Sequence, residues 1–198
     1  MKITQGSRIV MAAVLVLGAG IRSAGITNPL IGHHSWRQAD TAAMARNFVT
    51  ERFNILYPRI DWRGASSGEV ECEFPAYQFF VACLYRVFGV RETAGRLLSV
   101  AFSLAAIAGL YLLCKRTADT SVGLWSAFFL AVLPLPVYFG RAVMPESLLL
   151  AACVYAVLLF VRWTEAGSPG ALYGSALCLA LACLIKPPTL YLGLPLAY

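Results

Sequence analysis

EFPAYQFFVACLYRVFGV, residues 73–90, is the stretch on which the fold turns. If it crosses a bilayer, the basic pair Lys115-Arg116 falls outside and Glu146 emerges in the cytoplasm. If it lies along the membrane, Lys115-Arg116 falls inside and Glu146 shares a side with Asp40. Residues 74–90 are short beside the ~20 apolar residues that a spanning helix needs. Arg86 also interrupts them. The positive-inside rule favours Lys115-Arg116 inside, while Arg91 and Arg96 pull the other way. The stretch is therefore read as interfacial or re-entrant.

The rest of the chain is written for lipid. Of 198 residues, 59% are hydrophobic and 13% charged. A soluble domain carries about 25% charged residues. The apolar residues form long runs, as a membrane protein requires. The formal charge of +6 needs no nucleic acid, because basic residues at span ends and facing anionic lipid account for it. Of the six cysteines, Cys83, Cys114, Cys153, Cys178 and Cys183 lie in or beside apolar runs, where cysteine acts as a small hydrophobe. Cys72 sits between Glu71 and Glu73 in a polar loop. No C-x-x-C pair marks a structural zinc site.

Lys2 and Arg8 precede an apolar run from Ile9 to Ile21. It is read as a retained first span with a cytoplasmic N-terminus. Arg22 is expected to snorkel, and Ile26, Pro29, Leu30 and Ile31 prolong the apolar character. Further spans are expected at Leu97–Cys114, Val122–Phe139 (broken near Pro134 and Pro136), Ser147–Val161 and Ala171–Ile185. The chain stops at Tyr198 inside another apolar run, which reads as a fragment. The expected fold class is all-α integral membrane: a polytopic bundle of transmembrane helices with an external loop carrying interfacial, juxtamembrane helices. Its parts are a first transmembrane helix at 1–26, an external loop at 27–93, and transmembrane helices over 94–198.

The external loop carries the chemistry-bearing stretch, His33-His34-Ser35-Trp36-Arg37-Gln38-Ala39-Asp40. Ser35 and Gln38 have capping-box spacing, so a helix is expected from Ser35. Trp36, Ala39, Ala43, Met44 and Phe48 would form its apolar face, and Arg37 and Asp40 would share another. A carboxylate so placed is a candidate base or metal ligand, or half of a plain surface ion pair. Tyr57 and Trp62 suit the headgroup level. Glu69, Glu71 and Glu73 alternate, as in an exposed strand or an acidic loop. Under the interfacial reading of 74–90, one side of the membrane collects Asp40, Glu73, Arg141, Glu146 and Lys186 with His33, His34 and Arg37. Ionisable residues at such depth are functional candidates. Arg141 and Lys186 read equally as interfacial anchors, and the two histidines as interfacial polar residues or ligands.

Four motifs in order, H-x-W-R-Q-x-D at 34–40, E-F-P-A-Y at 73–77, G-R-x-x-M-P-E at 140–146 and K-P-P at 186–188, resemble the N-terminal part of a bacterial membrane glycosyltransferase. The group is the GT-C superfamily that uses lipid-phosphate sugars, including family 39 protein O-mannosyltransferases and the lipid A aminoarabinose transferase. The resemblance covers essentially the whole chain. It implies that 94–198 are helices of the superfamily's core, truncated at the C-terminus. It implies Asp40 as catalytic base in the first external loop and Glu146 as the second acidic residue, where many relatives have Asp. It also implies an interfacial helix at 74–90. The relatives' E-K-P-P run is here Glu73-Phe74-Pro75-Ala76, without its lysine.

The implied reaction moves a sugar from a polyprenyl-phosphate donor to an acceptor hydroxyl with inversion, on the periplasmic face of a bacterial inner membrane. The acceptor is a glycan, lipid or protein, and the fragment by itself is expected to be inactive. Arg37, Arg141 and Lys186 are candidates for the leaving phosphate, with Glu73, Glu146 and His34 as further substrate contacts. The resemblance leaves a divalent metal open, with Glu73, Glu146 and His33 as its ligands. The competing reading is a transporter or channel fragment with charges at span ends.

Overall fold

The computed structural model describes residues 5–30 and 32–194. Lys2, Ile31 and Tyr198 lie outside the described residues. The elements are α1 (Gln5–Ser23), α2 (Ser35–Thr50), α3 (Ala76–Phe88), α4 (Glu92–Thr117), α5 (Thr120–Val132), α6 (Pro134–Phe139), α7 (Glu146–Ala166) and α8 (Pro169–Ile185), followed by a 3-10 helix, Pro187–Leu192. Among the described residues there is no strand, only an isolated bridge between Arg59 and Glu69. The alternating glutamates therefore belong to a loop.

Among the described residues three helices, α1, α4 and α7, are long and apolar enough to cross a membrane, while α5 and α8, where spans were expected, are shorter apolar helices of 13 and 17 residues. At 1.5 Å per residue, α3 is only about 20 Å long, against a hydrocarbon core of ~30 Å. It packs instead across α2 and the start of α4, burying Tyr77, Val81, Ala82 and Tyr85 against Ala45 and Phe48. Apolar side chains such as Val16, Trp125 and Leu177 face outward around the bundle, as lipid-facing residues do. The chain is an integral membrane protein.

Local signals set the helix ends. Asp119 caps α5 by accepting from the N–H groups of Ser121 (2.7 Å) and Val122 (2.9 Å). Gly167, at φ 62°, closes α7 in the left-handed conformation that glycine adopts freely. Pro134 pushes Leu133 into an extended conformation (φ −62°, ψ 138°), which separates α5 from α6.

That break explains Arg22, which departs from expectation. It does not snorkel. Its side chain is fully buried and donates to the carbonyls of Leu130 (3.0 Å) and Ala131 (2.8 Å) at the end of α5, and to Ser103 Oγ (2.8 Å) on α4. Pro134 has no N–H to offer Leu130, so the guanidinium takes the vacant place. The fit is close: a Cβ on Gly140 would sit 2.6 Å from Arg22 Nε.

The polarity of the bundle follows from contacts at its two ends. At one end Arg116 pairs with Glu165 (2.5 Å), joining the last turns of α4 and α7. At the other, Arg96 at the start of α4 donates to the carbonyl of Asn28 (3.1 Å), and Arg141 to that of Ala24 (2.6 Å). Phe74 N–H donates to the carbonyl of Leu184 at the end of α8 (3.2 Å). Thus α2, α3 and α6 gather at the same end as the close of α1, the start of α4 and α7, and the close of α8. A membrane-impermeant thiol reagent checks this in a chain freed of its six cysteines. Cysteines placed at the exposed Ser66 and Thr117 are expected to label from opposite sides. Labelling from one side would require α3 to cross.

Candidate active site

The site is assembled around the first turns of α2. The helix starts at Ser35 as expected, but no capping box forms. His34 is the N-cap, at φ 53°, with no side-chain cap bond. Gln38 is buried and used otherwise. Its Nε2 donates to the carbonyl of His33 (3.0 Å), and its Oε1 accepts from the N–H of Val143 (3.1 Å). This amide ties α2 to the connection that leads into Glu146. The buried face of α2 is also rotated from the expected one. Gln38, Thr41, Met44, Ala45 and Phe48 point inward, whereas Trp36 and Ala39 are exposed. The helix lies on protein, so fit to α3 and residues 140–146 selected the face. The polar members inside have partners: Thr41 Oγ1 donates to the carbonyl of Arg37 (2.8 Å).

Arg37 and Asp40 share a side of α2 but do not bond each other. Arg37 Nη2 meets Glu73 Oε2 at 3.3 Å, and Asp40 Oδ1 accepts from Trp62 Nε1 at 3.3 Å. Lys186 Nζ meets Glu146 Oε1 at 3.0 Å. These pairs close a circuit. Arg37 reaches Glu73, Phe74 reaches Leu184, Lys186 reaches Glu146, and Val143 returns to Gln38 beside Arg37. The circuit joins Arg37, Glu73, Glu146 and Lys186, and Asp40 stands one turn along from Arg37. Glu146 Oε2 is buried and unbonded, an acceptor held away from water.

Across Gln38 lies a cavity of about 480 Å³, lined by His33, Arg96, Tyr138 and Arg141. Neither guanidinium pairs with a carboxylate among the described residues, and Arg96 Nε is buried without a partner. The Tyr138 hydroxyl donates to the carbonyl of His33, and burial pushes that phenol up from its ordinary range. His34 lies on Phe139, with ring centroids 6.4 Å apart and planes 24° apart. Sequence reasoning took Arg96 only as a charge opposing the favoured topology. Its position at the start of an apolar helix was the available signal. Tyr138 gave none, because its role depends on α6 folding back over His33.

Among the described residues no three His, Cys, Asp or Glu side chains group as a metal site, Glu73, Glu146 and His33 included, and no catalytic step is assigned to a divalent ion.

A family model described as dolichyl-phosphate-mannose-protein mannosyltransferase matches residues 73–198. The chain belongs to this mannosyltransferase family. No curated protein and no solved structure matches it. Membership makes the chain a membrane glycosyltransferase and sets the transporter reading aside. The matched segment holds Glu73, Arg141, Glu146 and Lys186, while His33, His34, Arg37 and Asp40 precede it. The Arg37–Glu73 and Gln38–Val143 contacts fasten the preceding stretch onto the mannosyltransferase segment.

Proposed function

We propose that this mannosyltransferase-family protein transfers a sugar, mannose by the family's description, from a polyprenyl-phosphate carrier to an acceptor hydroxyl. The active end faces the periplasm of a bacterial inner membrane. The observation that carries the reading is the circuit that sets Asp40 on the same end of the bundle as Glu146 and Lys186. Arg8, Lys115 and Arg116 belong to the opposite end, which supports a cytoplasmic placement there.

In this reading Asp40 takes the proton of the acceptor hydroxyl as its oxygen bonds to the anomeric carbon. The bond from that carbon to the phosphate oxygen breaks, and its electron pair leaves with the lipid phosphate. Attack from the face opposite the leaving group inverts the centre, by the geometry known for paired carboxylates at sugars. The departing phosphate gathers charge that fixed cations stabilise. Arg37 and Lys186 stand within the circuit. Arg141 and Arg96 line the cavity across Gln38, beside the uncapped start of α2. Glu146 keeps an unbonded Oε2 beneath this surface and holds Lys186 through Oε1, and Glu73 holds Arg37 in place. His34 adds a donor beside Tyr138 and Phe139.

The test supplies membranes containing the protein with radiolabelled mannose on a synthetic polyprenyl phosphate, and in parallel with a nucleotide-linked mannose. Transfer from the lipid-linked sugar alone is expected. Direct transfer from the nucleotide sugar, with none from the lipid, would overturn the proposal.

A further inference from the structure

We propose that the acceptor is a glycan, and that Trp62 and Trp36 form the platform on which its sugar ring sits beside Asp40. The inference rests on Asp40 being the base of the reaction proposed above. Trp62 is 75% exposed and Trp36 67%, so neither contributes to a core. Trp62 stands against the Asp40 carboxylate, and Trp36 lies on the same helix face. The Trp62 indole donates to Asp40 Oδ1 at 3.3 Å. Trp36 precedes Asp40 by one helical turn, so the two share a face of α2.

Trp62 is also held firmly, although its ring is bare. Its neighbour Asp61 accepts from Arg46 Nη2 (2.5 Å) and Asn47 Nδ2 (3.0 Å), both on α2. On the other side Arg63 pairs with Glu51 through Nη1 (2.9 Å) and Nη2 (2.5 Å). Arg63 and Arg59 together hold the Glu51 carboxyl down to about 2, so these bonds persist at any physiological pH. The loop thus spends its ion pairs on presenting an aromatic face to the outside, next to the proposed base.

A pyranose has a face of C–H groups that lies against an aromatic ring, and a rim of hydroxyls that a carboxylate accepts from. Asp40 keeps Oδ2 for such a hydroxyl while Oδ1 is held by the indole. An interfacial anchor turns its N–H outward toward headgroups. The N–H of Trp62 instead turns onto a side chain of its own protein.

The experiment labels the full-length protein in nanodiscs with 5-fluorotryptophan, its resonances assigned from the Trp36→Phe and Trp62→Phe variants. A mannose oligosaccharide and a threonine-containing peptide are titrated in separately, and lipid composition is varied as a third arm. The glycan is expected to shift the Trp62 and Trp36 signals. In transfer from polyprenyl-phosphate mannose, Trp62→Ala is expected to raise the glycan KM about tenfold and to leave the donor KM little changed, while kcat also falls because the indole bond to Asp40 is lost. Trp62→Phe keeps the ring and is expected to recover most of that loss. A response to the peptide and not the glycan, or to lipid composition alone, overturns the inference. So does an unchanged glycan KM in Trp62→Ala. Glycan binding is read apart from turnover. Transfer retained by Asp40→Asn would therefore remove the base assignment while the fluorine signals still report on the platform.

Discussion

Replacing Asp40 by Asn is expected to lower the rate of sugar transfer about 1,000-fold, in the middle of the range of 10²–10⁴ that a positioned general base contributes. The substitution keeps volume and shape. An amide oxygen still accepts from Trp62 Nε1, so the loop should stay in place. The Arg37–Glu73 and Lys186–Glu146 pairs do not involve Asp40 and are expected to survive. What disappears is the capacity to take the acceptor proton. The measurement is turnover with saturating polyprenyl-phosphate mannose, run beside thermal unfolding of the same preparation. A loss of activity with unchanged unfolding assigns a chemical role. Activity within a few-fold of the parent would dismiss Asp40 as base. Asp40→Ala is less informative, because it also releases the indole.

Replacing Arg22 by Leu is expected to have the largest effect on stability, about 3–5 kcal/mol in a reversible unfolding assay in detergent. The side chain is fully buried, and it satisfies the carbonyls of Leu130 and Ala131 together with Ser103. Each buried acceptor left without a donor costs about 1–3 kcal/mol. Leucine is also shorter and leaves a void against Gly140. Arg22→Lys should recover only part of the loss, because a compact ammonium cannot span acceptors that a planar guanidinium reaches together. The consequence reaches the site. α6 carries Tyr138, which bonds the carbonyl of His33 and lines the cavity with Arg96 and Arg141. The Leu variant is therefore expected to lose transfer in proportion to its unfolded fraction. Undiminished stability would mean that the break at Leu133 is satisfied without Arg22.

The candidate site is partly legible in the sequence, and particular residues show why. Asp40, Glu73, Arg141, Glu146 and Lys186 stood out because charges at the ends of apolar runs are conspicuous. The start of α2 at Ser35 was also legible, but for a mistaken reason. Gln38 forms no capping box; its side chain bonds the carbonyl of His33 and the N–H of Val143, the latter more than a hundred positions away. The Arg37–Asp40 pairing failed in the same manner. Helical spacing brings them within reach, yet Glu73 arrives from the loop before α3 and takes the guanidinium. Arg22 looked like a snorkelling residue because nothing nearby in the sequence announces the carbonyls freed at Pro134.

The sequence by itself determined the membrane class, the positions of the long helices and the places where prolines and glycines end them. These depend on composition and period within a single segment, where lipid, backbone hydrogen bonding and the fixed φ of proline act locally. The tertiary structure alone decided which face of α2 is buried, which carboxylate each cation meets, and that α3 lies on the bundle. Those outcomes depend on which helix ends meet. A hydrogen bond or ion pair forms with the partner that packing delivers, and packing is set by elements far apart in the chain.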